Sequence, residues 1–337
     1  MIYYIVIAEQ KGIRMKELYI ANMKTGTEFI DFFMVKSIEL KIGSNKKQYL
    51  DLVLGDNTGE INGKKWDVSD EEARNLEAIE KGDLVKIKAT VTEWVGNKQL
   101  RVMKLRKATE EDELNLMDYV KAAPEDSESM WRYIHDKANG IKDADLRAIS
   151  LKLLKDNKEK LMYWPAASKN HHAEYGGLLY HTKRMLMNGE LMCQVYRNLN
   201  PDWIKAGVIV HDIEKINEIE SDALGVSPGY SFEGQMLGHI IQGVKTIEKI
   251  GEELGMSHEK RVMLEHMIVS HHYEPEFGSP KRPMFPEAEI LHYLDIIDAR
   301  MFDMEDALVG VEPGGFSEKV WVLDNRRLYK PAGSEEE

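Results

Sequence analysis

The sequence predicts a multidomain chain, an N-terminal all-β barrel followed by an all-α domain, on three observations. Its 337 residues exceed one compact core and suit two domains of ~100–200 residues each. Its charge is split: residues 11–107 carry 19 Lys/Arg against 15 Asp/Glu, and residues 108–337 carry 26 against 42, behind a formal net charge of −13. Apolar spacing also changes, from period two in the first third to helical beyond Ser127, and ten of the eleven histidines lie from His171 to His292. With 43% hydrophobic and 31% charged residues the chain is not a disordered one. A lone Cys193 excludes an internal disulfide and suits a reducing cytoplasm. No apolar run approaches the ~18 residues of a membrane span, and Met1–Ala8 lacks the length and charged start of a signal peptide. A cytoplasmic protein with no membrane partner is expected.

The strands come first. Phe33–Ile42 ends in the turn Gly43-Ser44-Asn45, Tyr49–Leu54 ends in Gly55-Asp56-Asn57-Thr58-Gly59, and Glu60–Trp66 makes a third run. Ser69-Asp70-Glu71-Glu72 opens a short helix with a polar cap and acidic first turn, and Gly82 lies past its end. Leu84–Trp94, the turn Gly96-Asn97 and Gln99–Leu105 complete five strands. In the fourth, Val85, Ile87, Ala89 and Val91 alternate with Lys86, Lys88, Thr90 and Thr92, one face apolar and the other polar or basic. Three strands, a helix and two strands in this order predict an OB-fold over residues 14–107.

Residues 108–128, with Glu110-Glu111-Asp112-Glu113 and Pro124-Glu125-Asp126-Ser127, read as an acidic linker. Residues 129–312 read as all-α, with helices expected over Met130–Ala138, Asp143–Asn157, Tyr180–Leu199, Pro201–Glu218, Phe232–Leu254, His258–His271 and Pro286–Leu308. Residues 313–337 form a C-terminal extension, irregular over Gly315–Pro331 and frayed over Ser334–Glu337.

The chemistry concentrates in the second domain. His211-Asp212 follows the apolar run Gly207-Val208-Ile209-Val210, and an unpaired charge buried there calls for a partner such as a cation. His181 follows Gly176-Gly177-Leu178-Leu179-Tyr180, His239 follows Gly238 in an apolar helix, and His271-His272 close another. His292, Asp295 and Asp298 are spaced by three along a helix and share a broad face. Imidazole with carboxylate suits Mn²⁺, Fe²⁺, Co²⁺ or Zn²⁺. His181, His211, Asp212 and Asp295 suffice for one ion; His239, His271 and His272 add a second, with Asp212 as the bridge. His135 and His258 read as surface residues and His266 as a helix-face residue. His292 reads as supporting or packed, Asp298 as a cap or helix pair, and His171-His172 as a phosphate contact or as packing.

These residues resemble the HD superfamily of metal-dependent phosphohydrolases, through His181, the His211-Asp212 pair and Asp295. A closer resemblance is to the YhaM family of 3′-5′ exoribonucleases, also met as a plasmid replication binding factor, in which an OB-type domain precedes the HD domain. It runs through Tyr49-Leu50-Asp51-Leu52, Trp66-Asp67, Pro165–His172, Glu233-Gly234 with Leu237-Gly238-His239-Ile240, and Ser270-His271-His272. It continues through Gly278-Ser279-Pro280-Lys281, Glu287–His292, Leu323-Asp324-Asn325-Arg326 and Tyr329-Lys330-Pro331. The chain departs from it at Glu214 and Tyr273, where the family usually has glycine.

The resemblance implies a metal-dependent 3′-5′ exonuclease on single-stranded RNA, with DNA as a further substrate. Two ions ~3.5–4 Å apart make water a nucleophile near neutral pH and clamp the attacking and leaving oxygens; Mn²⁺ or Co²⁺ is favoured over Fe²⁺ or Zn²⁺. Asp212 and Lys215 are the expected catalytic residues, Lys215 as the extra cation for a phosphoryl oxygen. His172 is expected at the substrate. Single strands bind where basic side chains track phosphates and rings stack on bases. Lys41, Lys46, Lys47, Lys64, Lys65, Lys86, Lys88, Lys98 and Arg101, with Tyr49, Trp66 and Trp94, are the barrel's candidates, and at least one Trp is expected in the core instead. A homo-oligomer is compatible with this reading. Two alternatives are a nucleotide or cyclic-dinucleotide hydrolase with a regulatory barrel, and a non-catalytic nucleic-acid-binding factor.

Overall fold

A computed structural model describes residues 16–43, 46–76, 78–168 and 172–333. The leader Met1–Ile13, His171 and the tail Ser334–Glu337 lie outside the described residues, as does part of the Gly43-Ser44-Asn45 turn. The chain divides into two compact units, Met1–Ala122 and Ala123–Glu337.

In the first, β1 (Glu28–Ile42), β2 (Gln48–Asp56), β3 (Gly59–Lys65), β4 (Leu84–Trp94) and β5 (Asn97–Lys107) close a barrel in the order β1-β2-β3-β5-β4, with α1 (Asp70–Leu76) between β3 and β4. Only the β3–β5 seam is parallel. This order with this helix is the OB topology. The expected alternation of β4 holds: Val85, Ile87, Ala89 and Val91 fill the core with Phe33, Leu52, Leu54, Leu100 and Val102.

β1 begins five residues before the expected Phe33. Asp31–Val35 are buried in succession, which masks the period-two signal. Residues 16–23 cover their outer side: the fully buried Lys16 ammonium donates to the Phe32 carbonyl at 2.6 Å, and the Leu18 amide donates to Asp31 at 3.1 Å. Beyond β5, Asp112 accepts a fork of hydrogen bonds from Arg106 at 2.7 and 2.8 Å, pinning Glu110–Asp112 to the barrel wall.

The second unit is helical: α2 (Ser127–Asn139), α3 (Ala144–Leu161), α4 (Gly177–Val195), α5 (Pro201–Val210), α6 (Lys215–Glu218), α7 (Phe232–Glu253), α8 (His258–Ser270) and α9 (Pro286–Leu308). Capping side chains start several of them, among them Asp126, Asp143, Asn200, Ser231 and Ser257, each accepting from an amide of its first turn. The core is built from Leu146, Ile149, Leu153, Met185, Val208, Met267, Leu291 and their neighbours.

Two expected helices are interrupted. The helix expected over Pro201–Glu218 ends at Val210; Ile213 and Lys215 bond back only three residues, tightening the chain into a turn at 211–214. α7 is kinked at Gly238, whose φ of +67° and ψ of 166° leave the helix, and the next amide, of His239, donates to Glu218 at 3.0 Å. Residues expected to be irregular at the C-terminus pair as an antiparallel hairpin, with bridges Phe316↔Tyr329 and Val320↔Arg326. Among the described residues no helix is long and apolar enough to cross a membrane.

Candidate metal centre and nucleic-acid face

The two interruptions lie where the sequence places its ligands. His211 and Asp212 project from the broken end of α5, Lys215 opens α6, and His239 follows the kink in α7. His271 caps α8, His272 follows it, His181 lies in the first turns of α4, and Asp295 lies mid-way along α9. The glycine that opens α4 matters here, since a Cβ on Gly177 would stand 2.1 Å from the His172 carbonyl oxygen. A free helix would continue past residue 210, bonding each amide to a carbonyl; here side chains converge on the turn instead.

Asp212 is the hub. Its Oδ2 lies 3.2 Å from His211 Nε2, 3.7 Å from His181 Nε2 and 2.7 Å from the Lys215 ammonium. Its Oδ1 lies 3.3 Å from His239 Nε2 and 3.8 Å from His271 Nε2. Asp295 Oδ1 approaches His181 Nε2 at 3.4 Å. The donors fall into two sets, His181–His211–Asp212 and His239–His271–His272, each with ligand atoms within 4.8 Å of one another. Asp212 turns one oxygen toward each set.

Hydrogen bonding on the far side of each ring sets its tautomer. The Nδ1 atoms of His211, His271 and His272 meet the carbonyls of Val208, Ile268 and Phe277 at 2.9, 2.7 and 2.6 Å; a carbonyl only accepts, so each Nδ1 carries the proton. His181 and His239 use Nδ1 toward Asp298 at 2.8 Å and Glu218 at 3.0 Å. The inward Nε2 atoms of His181, His211, His239 and His271, with Asp212 Oδ1, are buried without a hydrogen-bond partner. Buried polar atoms are otherwise satisfied as a rule, so five orphans gathered on the two sides of the Asp212 carboxylate fit bound cations. The imidazole–carboxylate donor set suits a divalent transition metal.

The charges agree. Burial and the neighbouring His272 and His211 hold His271 well below its ordinary value, in the neutral form a ligand needs. Burial opposes the Asp212 charge, but His211 and Lys215 outweigh it and keep the carboxyl well below the usual range. For His181 burial works downward, and the carboxylates of Asp295 and Asp298 override it, pushing the ring up to about 10. That pull is the negative potential that a bound cation neutralises.

His172, expected at the substrate, is fully buried and bonds Asp298 Oδ2 through Nε2 at 2.8 Å. Its apolar flank packs on Phe302, with centroids 4.1 Å apart, so it stands behind His181 rather than at an opening. Asp298, read from sequence as a cap or helix pair, also accepts from His181 and lies 2.6 Å from Arg184 Nε. Sequence spacing put Asp298 one turn from Asp295 but carried no sign of Arg184, or of Glu218 as the support of His239. His292, read as supporting or packed, donates through Nδ1 to the His271 carbonyl at 2.7 Å and packs on Tyr273.

Both departures from the family pattern have a physical setting. The Glu214 carboxylate turns away from the ligands and accepts from Asn217 and Thr246, each at 2.7 Å. Tyr273 has a φ of +69°, a glycine-like conformation costing about 1–2 kcal/mol, and its ring packs on His292 at 4.9 Å.

On the barrel, Tyr49 and Trp66 stack at 4.8 Å and 30°, with Trp66 about half exposed (49%) and the Lys64 ammonium 5.5 and 5.7 Å from the two rings. Lys64 is in register with Arg101 across the β3–β5 seam. Trp94 is 70% exposed beside the Val95-Gly96 turn, where both residues have positive φ. Neither Trp66 nor Trp94 is in the core, contrary to expectation, because both sit where strands end and the barrel interior has closed. Lys46 is exposed in the β1–β2 turn, and Lys47 pairs with Asp67 at 2.8 Å. Lys86 and Lys88 lie outside the Tyr49–Lys64–Arg101 group: they are in register with Phe32 and Ile30, and Lys88 meets Glu28 at 2.8 Å.

The HD domain family matches residues 178–300, the span from α4 to α9 that carries these imidazoles and carboxylates. The chain is 40% identical over 314 residues to the 3′-5′ exoribonuclease YhaM of Geobacillus sp. (strain WCH70), covering 93% of this chain and 94% of that protein. The chain belongs to the YhaM family. The enzyme of the same name from Bacillus subtilis (strain 168) is 37% identical, over 95% of this chain and 98% of that one, and the one from Halalkalibacterium halodurans is 36% identical over 91% and 94%. The HD domain of this family implies dependence on a divalent metal. The second OB-fold domain of replication protein A from Methanococcus maripaludis is similar at 19% identity and a TM-score of 0.22, covering 27% of this chain and 92% of that one. The OB assignment rests on the strand order itself.

Proposed function

We propose that this chain is a metal-dependent exonuclease that releases nucleotides from the 3′ end of single-stranded RNA, with the HD centre as its catalytic site and the barrel as a tether. The observation that carries it is the convergence of four orphaned imidazole Nε2 atoms on the two oxygens of Asp212. Membership of a family whose relatives are named 3′-5′ exoribonucleases supports the polymer and the direction.

His181, His211 and Asp295 would hold one ion and His239, His271 and His272 a second, with Asp212 offering an oxygen to each set. Bound divalent ions supply Lewis acidity, which makes water nucleophilic near neutral pH and offsets charge on the phosphoryl oxygens. Mn²⁺ or Co²⁺ suits the mixed imidazole–carboxylate set best. Lys215, whose ammonium pairs with Asp212 at 2.7 Å, is the cation proposed to take up negative charge on a phosphodiester oxygen, a role supported by its standing beside the shared carboxylate. Burial lowers the Lys215 pKa but Asp212 more than restores it, so the ammonium stays protonated. Asp298 and Glu218 fix the orientation of His181 and His239. The Tyr49–Trp66 stack with Lys64 and Arg101 holds bases and phosphates of the strand.

Labelled single-stranded RNA incubated with and without a chelator tests this. Nucleotide release stops on chelation and returns with Mn²⁺ or Co²⁺; full activity in fully chelated protein overturns the reading.

A further inference from the structure

The C-terminal hairpin takes no part in the metal centre or the barrel, yet it has the make-up of a strand-binding surface. Gly314–Lys330 fold back antiparallel: the Ser317 amide donates to the Leu328 carbonyl at 2.8 Å, the Gly314 amide to Lys330 at 2.8 Å and the Lys330 amide to Gly315 at 3.0 Å. The chain reverses over five residues, a single 3₁₀ turn at Trp321–Leu323 followed by Asp324 and Asn325 with φ of +60° and +57°, after which the Arg326 amide donates to the Leu323 carbonyl at 3.2 Å. The fully buried Leu323 anchors it, and Arg300 of α9 bonds Asp324 at 3.0 Å. Arg300 is five residues from Asp295 on the same helix, ~7.5 Å along its axis.

Alternation along the hairpin sorts its faces. Ser317 is buried, whereas its neighbours across and along the pair, Phe316, Arg327 and Tyr329, point outward together. Phe316 and Tyr329 are 58% and 49% exposed with centroids 5.0 Å apart, and the Arg327 guanidinium stands 5.8 Å from the Phe316 ring. Trp321, beside the turn, is 75% exposed. A 21-residue segment showing three rings to water needs an occupant. Its charge says which: residues 313–333 carry four Lys/Arg against two Asp/Glu, while residues 123–312 of the same unit carry 21 against 32. Rings for stacking and guanidinium groups for phosphates are what a single strand recognises, and the net positive hairpin is where this acidic unit can meet one.

We infer that this hairpin is a second single-stranded RNA site, carried by the catalytic unit itself, with Trp321, Phe316 and Tyr329 stacking on bases and Arg327 and Arg326 contacting phosphates. It rests on the exonuclease reading for the identity of the polymer. The hairpin then holds a strand close to the helix that supplies Asp295 and Asp298, independently of what the barrel binds.

The full-length, metal-loaded protein tests this with a single-stranded RNA of ~20 nucleotides. The double variant Trp321→Ala/Arg327→Ala raises KM about tenfold and makes its dependence on salt shallower, with kcat kept within about twofold. Trp321→Phe with Arg327→Lys restores most of the affinity, and unchanged melting by circular dichroism separates lost contacts from lost fold. Photo-crosslinking of 4-thiouridine RNA to the wild-type protein labels the peptide containing Trp321. An unchanged KM with no crosslink in this peptide, in a protein that digests RNA normally, overturns the inference while leaving the exonuclease reading intact. A change in oligomeric state on light scattering with unchanged KM also overturns it, in favour of a protein interface. If the wild type digests no RNA, the exonuclease reading fails instead, and crosslinking still decides whether the hairpin binds the strand.

Discussion

The two units bury charge in opposite ways. In the barrel, Lys16 is as inaccessible as any metal ligand, yet its ammonium donates to the Phe32 carbonyl and has Asp31 and Asp56 within 4 Å. Its exposed charges pair as well, Lys41 with Asp51, Lys47 with Asp67 and Arg106 with Asp112. In the helical unit the second side of each ring is bonded and the first is not: Nε2 of four histidines and Oδ1 of Asp212 are buried and orphaned. Satisfied burial locks a segment in place, as Lys16 locks residues 16–23 over β1. Unsatisfied burial, repeated five times on the two sides of the Asp212 carboxylate, costs stability that only a ligand returns.

Removing the hub makes the largest difference between the units. Asp212→Ala or His211→Ala lowers nucleotide release by on the order of a thousandfold or more and lowers bound metal measured by elemental analysis, with the helical content kept. Wild-type metal content in an inactive Asp212→Ala protein would break the contrast. Next is the layer behind the ligands: Asp298→Asn keeps the shape but weakens the hold on His172, His181 and Arg184, and metal affinity by titration calorimetry falls about 10–100-fold. The barrel responds more mildly. Trp66→Ala leaves kcat in place and raises KM for single-stranded RNA about tenfold, because one stacking surface is lost and Lys64 remains.

The smallest effect sharpens the rule that burial without a partner is costly. Burial and the facing Glu248 carboxyl push Glu265 of α8 up to about 7, above its unfolded value. The folded chain therefore binds the proton more tightly, and the stability this gives is complete below the unfolded pKa and lost as pH rises through about 7. Glu265→Gln removes that loss, so its melting temperature gains on the wild type from pH 5 to pH 8; a constant difference across this range contradicts the assignment.

Periodicity made much of this legible. The alternation Val85–Val91 against Lys86–Thr92 marks a barrel strand because only one face of such a strand is buried. The groups that meet at Asp212 stood out through the histidines that close apolar runs, taken together with the likeness of His181, His211-Asp212 and Asp295 to the HD signature. The break after Val210 was not: no proline follows it, and the tight turn at 211–214 appears only in the structure, where Ile213 and Lys215 bond back three residues. Gly238 announced itself by residue type, but the contact with Glu218 that uses its left-handed backbone comes from 20 residues earlier. β1 was read short because residues 16–23 cover its outer face, erasing the alternation over Asp31–Val35.

The sequence alone determined the two architectures and their order, and it named the imidazoles and carboxylates that come together around Asp212, because periodicity and residue chemistry are local properties. Tertiary structure decided that Asp212 faces both donor sets, that His172 stands behind the site and that the aromatic rings of the barrel and the C-terminal hairpin face water. Those depend on which side of a side chain finds a partner, and the partners lie tens to more than a hundred residues away in the chain.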